Sequence, residues 1–92
     1  MKKLWAKIMK NNKIAEESIV CLDNNFSADN LYEPLKELCY NLKIETPIVL
    51  KKHKNQLEEF NQTKFVQADF VDVISFDNLA LEYFEINENN KN

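Results

Sequence analysis

The chain has 92 residues, 45% of them apolar, and a net charge of −3. That size fits one compact domain that folds without metal or disulfide staples, and the apolar share excludes a disordered chain. All twelve basic residues are Lys and Gly is absent, which excludes guanidinium forks for phosphate and every Gly-rich phosphate loop.

In chain order, "KKLWAKIMK" alternates: Leu4, Ala6 and Ile8 on one face, Trp5, Lys7 and Met9 on the other, a strand of period two. A second strand follows in "KIAEESIVCL", so Asn11-Asn12 reads as a hairpin turn. Asn tolerates the positive φ that such a turn requires, and the chain has no Gly to use. Glu16-Glu17 interrupts the alternation and marks a bulge. After the loop "DNNFSADN", a helix is predicted from about residues 31–34 to 43, with Leu31, Leu35, Leu38, Cys39 and Leu42 on one stripe. Asn30 with Glu33 resembles a capping box, with Ser27 and Asp29 as rival caps. Pro34 is tolerated only in the first turn.

Beyond Thr46-Pro47, "PIVLKK" reads as a short strand and "HKNQLEEF" as one or two helical turns packing Leu57 and Phe60. A short strand at Lys64–Val66, a turn-rich connection carrying Phe70, Val73, Ile74 and Phe76, and a last strand "LALEYFEI" complete the pass. One α+β domain over residues 1–87 is expected, with a frayed polar tail over 88–92. Charge is segregated: residues 1–13 carry +5 and 65–92 carry −5, which favours placing the first and last strands side by side.

The order of elements, ββαβ(short helix)β, resembles the ubiquitin-like β-grasp: a mixed sheet covered on one face by a single helix. The resemblance implies a last strand parallel to the first, in the middle of the sheet. Ubiquitin-like modifiers and sulfur carriers end in a flexible Gly-Gly; "NENNKN" has no Gly, so that role does not carry over. "LWAKI" and "TKF…DF…FDNLALE" also resemble short uncharacterised proteins of clostridia and related low-GC bacteria. That resemblance implies kinship and no activity.

Cys21, Cys39 and His53 are the residue types that zinc takes, but their spacing lacks a CxxC pair, and both cysteines read as small core residues. No metal and no cofactor is expected. Lys51, Lys52, His53 and Lys54 read as a solvated basic turn; as a basic patch they form the alternative reading, a nucleic-acid-binding or minor enzymatic module. The net acidity argues against nucleic acid. Glu16-Glu17, Glu58-Glu59 and Asp69/Asp72 read as solvated carboxylates, with Asp69 and Asp72 placed to cap a turn. No nucleophile–base pair is visible, so no enzyme is expected.

The longest uncharged apolar run is Ile19–Leu22, too short for a membrane span, and "MKKLWAKIMK" lacks a signal-peptide core. The expectation is a cytoplasmic protein. Trp5, Met9, Phe84 and Ile86 are expected on the sheet face away from the helix, where a one-sided sheet should be polar. They predict protein–protein contact, as a homodimer or with a protein partner.

Overall fold

The computed structural model describes residues 1–86; the expected tail at 88–92 lies outside the described residues. Two strands, β1 (Lys2–Lys10) and β2 (Lys13–Leu22), form the predicted hairpin. Asn11 and Asn12 both take positive φ, 55° and 64°, the geometry whose twist matches the flanking strands. Ile8 faces Glu16 while Met9 faces Ile14, so Ala15 is the extra residue of a bulge beside the Glu pair.

Helix α1 (Tyr32–Leu42) buries Leu35, Leu38, Cys39 and Leu42, and Leu31 is buried just ahead of it. The expected Asn30/Glu33 capping box does not form: a 3-10 turn over Ala28–Asn30 runs into the helix, and no side chain caps it. Pro34 sits in the first turn, where its missing N–H costs nothing. Lys43 ends the helix in the left-handed region at φ 59°.

The predicted strand "PIVLKK" is not formed. Residues 44–50 cross the molecule with one backbone bond to the far loop, Ile48 N–H to the Asp69 carbonyl at 2.8 Å. Helix α2 (Lys51–Phe60) then takes up the lysines. It is longer than expected, burying Leu57 but leaving Phe60 exposed. Strands β3 (Gln62–Phe65) and β4 (Asn78–Glu85) follow, joined by a connection that holds a 3-10 turn at Gln67–Asp69 and an edge-to-face Phe70–Phe76 pair.

The fold is α+β: a four-stranded sheet in the order β2-β1-β4-β3. β4 lies beside β1 as charge segregation suggested, but antiparallel, and every neighbouring pair is antiparallel. The parallel central pair and mixed sheet of a β-grasp are therefore not the arrangement seen. The reason is an element count: with no strand at 47–52, β3 and β4 form a hairpin-like pair that brings β4 back against β1 in the opposite sense. Both helices cover one face. Leu4, Ala6, Ile8, Leu79, Leu81 and Phe65 from the sheet share a single core with the buried residues of α1 and α2.

Candidate protein-interaction face

The face away from the helices is set by strict alternation from β1. Trp5 stands opposite Ile19 and Glu82, Lys3 opposite Cys21 and Phe84, Lys7 opposite Glu17 and Ala80, and Met9 opposite Ile14 and Asn78. Met1 and Ile86 extend it, exchanging backbone bonds of 2.9 and 2.8 Å. The four predicted residues therefore lie on one face: Trp5, Met9 and Phe84 half-buried, Ile86 exposed. None belongs to the helix-covered core.

Three apolar members were not foreseen: Met1, Ile14 and Ile19, each about half exposed. Ile14 and Ile19 are an odd number of residues apart, so a regular strand would put them on opposite faces. The Ala15 bulge resets the alternation and brings both to the outer face. The break at Glu16-Glu17 was the signal. Cys21, expected in the core, is exposed on this face instead, with Sγ 3.6 Å from Lys3 Nζ.

Three of the charges of the face, Lys7, Glu17 and Glu82, are engaged with one another or with Trp5. Lys7 Nζ lies 3.1 Å from Glu82 Oε1 and 4.1 Å above the Trp5 ring centroid. Trp5 Nε1–H donates to Glu17 Oε1 at 2.9 Å. Lys7 and Glu82 are diagonal rather than opposite, a geometry that long side chains span. The result is a largely apolar surface on which Lys7, Glu17, Glu82 and the Trp5 indole have partners, while the Lys3 ammonium approaches Cys21 Sγ.

The basic cluster is split. Lys51 and Lys52 are exposed, Lys54 is half-buried, and His53 is fully buried, so no solvated basic turn carrying an imidazole exists. His53 faces inward because it precedes Leu57 by one helical turn, and its ring packs 4.2 Å from Phe65. Its Nδ1 accepts the Leu50 N–H at 2.9 Å, closing the start of α2, and its Nε2 lies 3.4 Å from Asp69 Oδ2. Asp69, expected in solvent, is buried. It caps its own turn by accepting the Val66 N–H at 2.9 Å. Burial lowers the His53 pKa below 6.5, more than the Asp69 carboxylate raises it.

Cys39 is buried in the core as expected, and burial pushes its thiol up to about 11. Cys21, Cys39 and His53 are not brought together: one is on the outer face, one on the sheet-facing side of α1, one under α2. Among the described residues no helix is long and apolar enough to cross a membrane. No family model matches the chain, and neither the curated proteins nor the solved structures contain a match.

Proposed function

We propose that the chain is a small non-enzymatic binding domain acting by protein–protein contact through the outer sheet face, with a second copy of itself as partner. The observation that carries this reading is the uncovered row of Met1, Trp5, Ile19, Phe84 and Ile86. A contiguous apolar surface of this kind on a small domain marks an interface more often than a solvated face. The internal pairing of Lys7 with Glu82 removes one source of like-charge repulsion between two copies of the face, as a two-fold, self-complementary contact favours. The "LWAKI" and "FDNLALE" segments support kinship with the short clostridial proteins.

Light scattering tests the reading. The wild-type chain is expected at twice its 10.9 kDa mass, and Trp5→Ser or Phe84→Ser at the monomer mass with an unchanged far-ultraviolet spectrum. A wild-type monomer at millimolar concentration contradicts self-association. A partner recovered on the same face would replace the second copy.

A further inference from the structure

Among the described residues, β2 is an edge strand with no strand beyond it. Which of its backbone groups are free follows from β1. Met1 exchanges backbone bonds with Ile86, and the Met9 carbonyl accepts from Asp77 N–H at 2.9 Å. Odd-numbered residues of β1 therefore bond toward β4 and even-numbered ones toward β2. Across the pair, Ser18 and Val20 face Ala6 and Leu4 and bond inward; Ile19 and Cys21 face Trp5 and Lys3, so their N–H and C=O groups point off the sheet. The first half of the strand is blunted as natural edges are, by the Ala15 bulge and by Glu16 and Glu17. The Ser18–Leu22 half is not.

The end of that half, Cys21 and Leu22, borders a groove of about 920 Å³ that continues along the loop after β2 and has the outward side of α1 as its other wall. Cys21 is at its β2 rim, and exposed Tyr32 and Tyr40 stand along the helix. Asp23, Asp29, Glu33 and Glu37 line it against one cation, Lys36. An added strand would set alternate side chains toward those carboxylates and the others toward Ile19 and Cys21 on the outer face. A second copy offering its own β2 does not fit here, because α1 packs over β2 and the two helices would meet. An uncovered extended segment has no such obstacle.

We propose that the β2–α1 groove binds an extended polypeptide segment in which lysine or arginine alternates with small apolar residues, added as a fifth strand on β2. Main-chain bonds to Ile19 and Cys21 hold it, and the four carboxylates select its basic side chains. Basic stems can lie across the exposed Tyr40 ring.

The probe is a nine-residue peptide alternating Lys and Val, titrated into the full chain while the backbone amides are followed by NMR. Saturable binding is expected, with the Ile19 and Cys21 amides shifting and gaining protection from exchange. N-methylation of the peptide's alternate residues, in the phase that faces β2, should weaken binding at least about tenfold, since it deletes ladder hydrogen bonds. Cys21→Pro removes an N–H that β1 does not use and should abolish binding. Glu33→Lys with Glu37→Lys, both on the exposed helix side, should reverse the preference toward a Glu-Val peptide and does not depend on the proline variant folding. No saturable binding at millimolar peptide, equal binding of the N-methylated peptide, or shifts that spare Ile19 and Cys21 would each overturn the proposal.

Discussion

Lys43 shows what a chain without Gly gives up. Among the described residues, four non-Gly residues hold positive φ: Asn11, Asn12, Lys43 and Asn61. Three are Asn, whose short amide makes that region tolerable. Lys43 has no such help, so Lys43→Gly should stabilise the domain by about 0.5–1 kcal/mol, the left-handed penalty less the extra entropy Gly loses on folding. Thermal unfolding should show a midpoint higher by a few degrees; an unchanged or lower midpoint would mean that the helix end carries no such penalty. Asn11-Asn12 was legible because turn chemistry is local. His53 was not, because its sequence neighbours are Lys while its spatial neighbours are Phe65 and Asp69. Its four-residue spacing from Leu57 was the legible clue, and it becomes informative only once the helix is extended back to Lys51. His53 also sets a pH dependence. Its folded pKa lies below 6.5, so as pH falls below about 6.5 the unfolded chain takes up a proton that the folded one refuses. Stability should therefore drop through that window and level off below the folded value. Urea midpoints measured from pH 7.5 to 5 should show the fall, and His53→Gln, less stable overall, should flatten it. A wild-type midpoint rising in this window would contradict the buried neutral imidazole.

At the scale of elements, the hydrophobic stripe predicted α1 almost residue for residue, because Leu31 to Leu42 repeat with the helical period and nothing competes with that burial. Strand direction was not legible. It depends on whether "PIVLKK" pairs or crosses, and a run of three aliphatic residues after Pro fits either. With the lysines in α2, β4 pairs antiparallel with both β3 and β1. Packing makes a contrast that mutation can read. Leu38 is fully buried between α1 and the sheet, and Leu38→Ala should cost about 2–5 kcal/mol. Val73 is 91% exposed, and Val73→Ala should stay within about 0.5 kcal/mol of wild type. Urea unfolding of the two variants checks both. A near-neutral Leu38→Ala would contradict the placement of that helix face.

For the whole molecule, the decisive feature is the asymmetry of the sheet. One face is sealed by two helices; the other carries Trp5, Phe84 and half-exposed aliphatic residues held in place by Lys7, Glu17 and Glu82. The sequence made Trp5, Met9, Phe84 and Ile86 visible because alternation alone assigns their face. Ile14 and Ile19 needed the bulge, and the groove beside β2 needed the position of α1, neither of which periodicity supplies. Trp5 is the chain's one tryptophan, so its fluorescence reports directly on that face. Its emission should move to shorter wavelength as concentration is raised through the dimerisation range, and Phe84→Ser should abolish the shift. Emission that stays constant with concentration in the wild-type chain would contradict self-association through the outer face.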